Sequence, residues 1–420
     1  MIKVFKFGGA LMQNADGIRK VSSIINEFKN DQLIVVVSAL GKTTNRLEEI
    51  LQLAIDKNDN ALQPAIESLK TNHLQIADQL FNDVGSCQNQ LSGLFNNLEL
   101  ALRHLDANRF VAYDQIVSFG EKFTTLILGQ YFTEQQLPFQ LVDACSIIIT
   151  DNNFTSARIN WQKTTENIKT EVCPALDKGR FVLTEGFIGS DPSGSPTTLG
   201  REGSDFTAAI LASALDANEV TIWKNVPGLM HADPNRFADS VKLDQISYHE
   251  AIELAFYGAS VIHPKTIQPL QQKNIPLFVR SFDNLDIAAS KITKDTSMDD
   301  KIHKIIVKDT QVLLSINTRD LSFIAEDHLT DIFKAFSRHN IHINLMQHSA
   351  VSFSVCFNSN KTKLEMLLSD LKNEFIVKYN DGLQLITIRH YTEEIINKLV
   401  EHKKVFLEQK SRSTVQLLIQ

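Results

Sequence analysis

Cysteine is scarce in this chain of 420 residues. Cys87, Cys145, Cys173 and Cys356 show neither the close spacing of a metal-binding pair nor the pattern of a disulfide framework. That argues against a cysteine-built zinc centre or a disulfide-stapled domain, and reads most simply as reduced thiols in the cytoplasm. No leader is expected either. Met1-Ile2-Lys3-Val4-Phe5-Lys6 places no basic segment ahead of a long apolar one. The unbroken apolar stretch 33–37 is far too short to span a bilayer. A basic excess is lacking as well: Lys and Arg total 42 against 49 Asp and Glu, a net charge of -7. Nucleic acid and anionic membrane are therefore not expected as partners, although a local basic pocket is still allowed. Prolines number only 10 and glycines 17, so chain breakers are few. Hydrophobic residues at 43% and charged residues at 22% are ordinary globular values, and the length suits two or three domains.

The chain opens with Ile2, Val4, Phe5 and Phe7 ahead of Gly8 and Gly9, the pattern of a strand ending in a glycine turn. Ile18, Val21, Ile24, Ile25 and Phe28 follow at helical spacing. The β-branched run 33–37 comes next, apolar throughout, as expected of a parallel strand covered on both faces. Strand, helix and strand in this order predict a βαβ unit. Residues 44–135 read as mostly helical. Strand-like runs return at 139–143, 181–184, 220–223 and 277–281, with helices at 205–215 and 249–257. Residues 1–293 thus form one large α/β domain, and the polar stretch 294–301 is a linker. Beyond it, short elements follow a βαββαβ order through 375–379, then a shorter series at 383–389, 392–402, 404–408 and 414–419. This is a degenerate internal repeat. Its second copy lacks a helix and a strand, and 302–307 is the expected donor strand.

Several segments carry chemistry. Lys6-Phe7-Gly8-Gly9 ends the first strand, where glycines let backbone N–H groups approach a phosphate and a lysine supplies a point charge; the same pattern also serves as a plain turn. Gly41-Lys42-Thr43 suggests a phosphate-binding P-loop, but Val36 sits where that motif needs glycine. The loop 38–44 is then a substrate loop at the carboxyl end of a strand. Ser118-Phe119-Gly120-Glu121 fits a capping box, and Glu121 alternatively suits a substrate ammonium group. Residues 197–205 are the sharpest segment: Gly200, Arg201, Glu202, Gly203, Ser204 and Asp205 lead into a helix. Arg201 can clasp a carboxylate bidentately, and the helix start favours anions. Ser204 or Asp205 is alternatively a simple N-cap. Lys224 to Asp233 reads as a turn-rich loop after a strand. Residues 258–264 look like a helix end entering a short strand, with His263 packed and hydrogen-bonded rather than basic.

These segments, in this order and at these spacings along essentially the whole chain, resemble the aspartokinase family. The resemblance implies an α/β amino-acid-kinase fold, a mainly parallel sheet between helix layers. It also implies two α+β, ferredoxin-like ACT units at residues 301–420, one inserted in the other. No fused homoserine dehydrogenase is expected before Gln420. The implied reaction is ATP-dependent phosphorylation of the β-carboxylate of L-aspartate to 4-phospho-L-aspartate, the first step of lysine, threonine and methionine biosynthesis. Lys6 and Asp205 would be catalytic, Lys6 neutralising phosphoryl charge and Asp205 orienting it. Glu121 would hold the substrate ammonium and Arg201 its carboxylate. Ala39, Thr43, Phe187 and Ser204 would complete the aspartate pocket. The nucleotide would meet Phe7, Gly8, Gly9, Lys224, Asn225, Met230, Asp233, Arg236, Ser260 and Val261. Asn225 and Ser260 stand where the family often has an acid and a nucleotide-contacting lysine, and Glu202 where many members have glycine. Mg²⁺ would ride on the ATP phosphates, with no protein metal ligands.

The substrate carboxylate is ionised near neutral pH, so no general base is required, and catalysis reduces to aligning two anions and neutralising their charge. The ACT units imply a homodimer and an effector amino acid, lysine or threonine. Asp327, His328, Leu329 and Asn344 are the regulatory candidates, although each also suits helix capping or strand pairing. Two rival readings remain: another kinase of the same fold acting on glutamate, and a non-catalytic amino-acid-binding regulator. Side-by-side turnover of aspartate and glutamate discriminates the first, and any ATP turnover with aspartate the second.

Overall fold

In the computed structural model, which describes every residue except 260, 261 and 321, the amino-terminal alternation forms β1 (Ile2–Phe7). The apolar run that follows forms β2 (Gln32–Val37), with five consecutive buried residues. Further strands are β3 (Phe139–Leu141), β4 (Phe181–Glu185), β5 (Ile188–Ser190), β6 (Pro196–Thr198) and β7 (Glu219–Lys224). An eight-stranded sheet runs Gln245–Ser247, Ser290–Thr293, Leu277–Ser281, β7, β1, β2, β4, β3. Only the pairing of Leu277–Ser281 with Ser290–Thr293 is antiparallel in this sheet. The all-apolar character of β2 thus reflects burial on both faces of a parallel sheet. Register aligns Lys6 with Val36 on one side and Ile222 on the other, while Val36 pairs with Thr184. The carboxyl ends of β1, β2, β4 and β7 therefore share one edge, where open α/β sheets place ligands.

The expected helical stretch resolves into five helices: Thr43–Ile55, Asp59–Leu80, Gly85–Arg103, Arg109–Val117 and Phe119–Glu134. Their apolar stripes pack into one core with the sheet, where Phe95 and Phe123 stack at 4.3 Å and Phe7 stacks on Trp223 at 5.8 Å. Among the elements that the sequence reading did not name are the strands Gln245–Ser247 and Ser290–Thr293, the helix Trp161–Asp177, the β5–β6 hairpin and the helix Pro264–Lys273. The last corrects the expectation of a strand near 262–264. His263 caps this helix, its ring accepting from the Lys265 N–H at 3.2 Å, and Pro264 occupies the first turn, where its missing N–H costs nothing.

The chain divides into two compact units. The first holds Met1–Leu229, Lys242–Ile252 and Val261–Thr296; the second holds Met230–Val241, Glu253–Ser260 and Ser297–Gln420. In the second unit a six-stranded antiparallel sheet runs Ile343–His348, Ser352–Asn358, Lys304–Thr318, Phe375–Arg389, Thr414–Ile419, Val405–Lys410. The helices Glu326–Arg338 and Lys361–Leu371 share a core with the first half of this sheet, and Glu393–Val400 with the second. The repeat is present, but its strands are longer than expected. Residues 302–307 and 311–317 join into one strand, as do 375–379 and 383–389, with register shifts after Lys308 and Gln311. The borrowed strand is where it was sought: Lys304 through Val307 pair with Arg389 through Ile386. The second half also takes in Met230–Val241. Ala232 and Phe237 join Ile305, Ile386, Ile388, Ile396, Val415, Leu417 and Ile419 in one core.

Candidate active site

Parallel pairing brings Lys6, one residue short of the tip of β1, beside the first turn of the helix Gly203–Ala214, where Asp205 sits. Their side chains form an ion pair, Lys6 Nζ to Asp205 Oδ1 at 2.6 Å, with both groups largely shielded. A Cβ at Gly8 would lie 3.5 Å from Lys6 Nζ, so glycine leaves the approach to the amine open. Gly9 has a different reason. A Cβ there would fall 2.0 Å from the Ala39 carbonyl oxygen, and the Gly9 carbonyl accepts from Gly41 N–H at 2.9 Å. It lets the loops after β1 and β2 touch.

Glu121 is buried in the first turn of Phe119–Glu134. Its Oε1 accepts the Ala39 N–H at 3.2 Å, and its Oε2 is buried without a partner among the described residues. Burial pushes this carboxyl up to about 8; the Ala39 bond opposes the shift, and Lys6 opposes it more weakly. The capping-box reading fails here. Ser118 is itself in helical conformation, and its hydroxyl donates to the Gln115 carbonyl at 2.9 Å, so Glu121 has no cap to close. The N-cap reading of Ser204 and Asp205 fails similarly, because Glu202 occupies the cap position with a φ of 55°. Both Ser204 and Asp205 are in the first turn.

A cavity of about 1120 Å³ is lined by Lys6, Ser38, Glu121, Phe187, Arg201, Ser204 and Asp205, among others. A cation, a buried acid and a guanidinium therefore open onto one space. Phe187 and Glu202 on its wall are non-glycine residues in the left-handed region, φ 69° and 55°. Such strain persists where neighbours enforce it. The Phe187 N–H donates to the Thr207 hydroxyl at 3.0 Å, and its carbonyl accepts Leu199 N–H at 2.9 Å; the Glu202 carboxylate accepts His263 N–H at 2.9 Å.

Other expected contacts fall elsewhere. Ala39 and Thr43 are buried and do not line this cavity; Ser38 and Thr44 do, and Ala39 reaches it only through its bond to Glu121. The Phe7 ring is fully buried against Trp223, so only its backbone is available, and its carbonyl accepts Ser38 N–H at 3.2 Å. Lys224 ends β7 close enough to Asp205 and Lys6 to feel both; burial lowers its pKa, with Asp205 opposing. Asn225 is exposed beside it. Met230, Asp233 and Arg236 belong to the second unit, where Arg236 pairs with Asp309. Ser260 and Val261 lie outside the described residues. Among the regulatory candidates, His328 accepts the Ala325 N–H at 3.3 Å as a helix cap, Leu329 packs on the core and Asp327 is exposed. Asn344 accepts from Lys308 Nζ at 2.9 Å and donates to Gln311 at 2.8 Å and Asn358 at 2.9 Å. No group of three or more metal-ligating side chains occurs among the described residues.

Residues 1–281 match the amino acid kinase family. The chain belongs to this family. Within it, the chain is 28% identical to lysine-sensitive aspartokinase 3 of Escherichia coli, over 92% of its own length and 86% of that protein. It is 29% identical to aspartokinase 2 of Arabidopsis thaliana, over 92% of its length and 73% of that protein. Against a bifunctional aspartokinase/homoserine dehydrogenase of Arabidopsis thaliana it is 27% identical and spans 42% of that relative. The structure superposes on Escherichia coli aspartokinase III in complex with lysine and aspartate with a TM-score of 0.85 at 26% identity, covering 99% of this chain and 95% of that one. Against the same enzyme with aspartate and ADP the TM-score is 0.82. The resemblance to aspartokinases and the fold it implied, an α/β kinase domain followed by an α+β region, therefore hold for this amino acid kinase. No helix among its described residues is long and apolar enough to cross a membrane.

Proposed function

We infer that this protein transfers the γ-phosphoryl group of ATP to the β-carboxylate of L-aspartate. The observation that carries the reading is the unpartnered, buried Oε2 of Glu121 in a cavity that Lys6 and Arg201 also line. A buried carboxylate oxygen without a donor is costly unless a ligand supplies one. An α-ammonium supplies it, and Arg201 meets the α-carboxylate of the same ligand in bidentate fashion. The remaining carboxylate of aspartate is then the nucleophile. One of its oxygens attacks the γ-phosphorus, the bond to the bridging oxygen breaks, and ADP leaves with that electron pair. Lys6 takes up charge developing on the phosphoryl oxygens, and Asp205 holds the Lys6 amine in place through the 2.6 Å pair. Mg²⁺, carried on the ATP phosphates, supplies further charge neutralisation when bound. The nucleotide enters from the carboxyl ends of β1 and β7, where Gly8, Gly9, Lys224 and Asn225 sit. A protonated Glu121 must lose its proton before it can pair with the ammonium.

Residues 301–420 are read as a regulatory region that dimerises and binds an effector amino acid, and the protein as cytoplasmic. Lysine is the first candidate effector, given the lysine-sensitive relative, with threonine the second. A coupled assay of ADP release with aspartate, ATP and Mg²⁺ tests the reading, with glutamate in parallel and lysine or threonine titrated to millimolar levels. Turnover with aspartate well above glutamate is expected, with inhibition by one effector. Absence of aspartate-dependent ADP release, or equal turnover of glutamate, overturns the substrate assignment. Flat titrations with both effectors overturn the regulatory one.

A further inference from the structure

We propose that Asp114 is a positioning residue that sets the height of the Arg201 loop and thereby the affinity for the amino-acid substrate. Asp114 lies in the helix Arg109–Val117 and is 0% exposed. The three hydrogen bonds of its side chain among the described residues all leave its own helix. Oδ2 accepts the backbone N–H of Thr155 at 2.9 Å and of Thr198 at 2.8 Å, and Oδ1 accepts the Thr198 hydroxyl at 2.7 Å. Thr198 ends β6, directly before the loop that carries Gly200 and Arg201, and both threonines line the cavity. Thr155 stands at φ 67°, a conformation that a threonine holds only under constraint, and its N–H bond to Asp114 is one such constraint. A Cβ at Gly200 would sit 3.2 Å from the Thr155 carbonyl oxygen, so the Arg201 loop rests on the backbone that Asp114 fixes.

The chemistry favours a carboxylate. Two N–H groups converge on Oδ2 and the Thr198 hydroxyl on Oδ1, and a carboxylate makes all three the stronger, charge-assisted kind of bond. Asparagine can set its carbonyl oxygen at the Oδ2 place and keep both N–H bonds, but its NH₂ then faces the Thr198 hydroxyl, which must turn from donor to acceptor, and all three bonds lose their charge assistance. The loop then shifts, and Arg201 with it. Displacements of this size are enough to impair substrate positioning strongly. The inference rests on Arg201 meeting the substrate carboxylate, as argued above.

The test is steady-state kinetics of full-length Asp114→Asn, with active sites counted by single-turnover phosphoryl transfer. We expect the KM for aspartate to rise about tenfold or more, the KM for ATP to stay within about twofold, and the kcat per active site to change less than the aspartate KM. Thr198→Val removes one of the three bonds and should raise the aspartate KM to a lesser degree. The double variant should then be no worse than Asp114→Asn alone, because both act through one contact. An unchanged aspartate KM with fewer active sites, or fully additive effects in the double variant, overturns the proposal in favour of a purely structural role. If Asp114→Asn does not fold, Thr198→Val against Thr198→Ser carries the test: the serine must restore the aspartate KM, and failure to do so overturns the proposal. If the wild-type protein phosphorylates an acid other than aspartate, the same KM comparison with that acid still tests Asp114, while the aspartate assignment falls separately.

Discussion

His73 gives the stability of this protein a pH dependence that can be worked out from its surroundings. The imidazole is fully buried, with its ring 5.1 Å from Phe123 and 5.8 Å from Phe95. Its Nδ1 lies 2.8 Å from the Leu69 carbonyl, which can only accept, so Nδ1 carries the proton. Nε2 is buried without a partner among the described residues, and an added proton there would find no acceptor among them. Burial therefore pushes this histidine down to about 4 from its ordinary 6.5. The neutral ring is favoured in the fold, so its contribution is complete above the unfolded value and is lost as pH falls from there toward the folded one. Between about pH 7 and about pH 5 the loss is about 2 kcal/mol, and it reaches about 3 kcal/mol at still lower pH. Leucine fits the apolar site and cannot titrate. Chemical denaturation of wild type and His73→Leu across this range should show the wild-type stability falling more steeply by about 2 kcal/mol, the difference cancelling the carboxylates common to both. Parallel curves for the two proteins would falsify the claim that this ring is neutral and unsolvated in the fold.

Two further outcomes follow from the active-site geometry. Lys6→Ala should lower kcat by about 10²- to 10³-fold while far-ultraviolet circular dichroism is unchanged; wild-type-like turnover would remove Lys6 from phosphoryl stabilisation. Because Glu121 sits near about 8 before substrate arrives, kcat/KM for aspartate should climb with pH up to that region and level above it, and Glu121→Gln should flatten the rise while raising the aspartate KM. A flat wild-type profile between about pH 6.5 and about pH 8.5 would mean that the carboxylate is already ionised in the free enzyme.

Much of this arrangement was legible in the chain. The unbroken apolar residues of β2 announced a covered parallel strand, and the parallel register then placed the ends of β1 and β2, and so Lys6 and the 38–44 loop, at one edge. The borrowed strand 302–307 was foreseeable because a repeat one strand short must find it nearby. What was hidden depends on distance along the sequence. Asp114 looks like any acid on a helix, and its partners lie 41 and 84 residues away. The capping pattern at Ser118 misled because the preceding helix ends at the cap residue, with its last turn already supplying the backbone bonds. Residues 258–264 read as a helix end entering a short strand, although proline at a helix start is favourable and Pro264 opens a helix. Ala232 and Phe237 lie in a turn-rich stretch without periodicity, and nothing local shows that they are core residues of the second unit.

That last feature bears on how this molecule can be taken apart. The polypeptide passes from one unit to the other after Leu229, Val241, Ile252, Ser260 and Thr296. Severing it at the 294–301 segment would not free a self-sufficient carboxyl-terminal piece. Such a fragment leaves Ala232 and Phe237 behind, uncovers the apolar side chains they pack against, and loses the Ile305–His231 backbone bond and the Arg236–Asp309 pair. Proteases, truncation designs and gene fusions that treat residue 297 as a clean seam would produce a sticky half-molecule rather than an independent sensor.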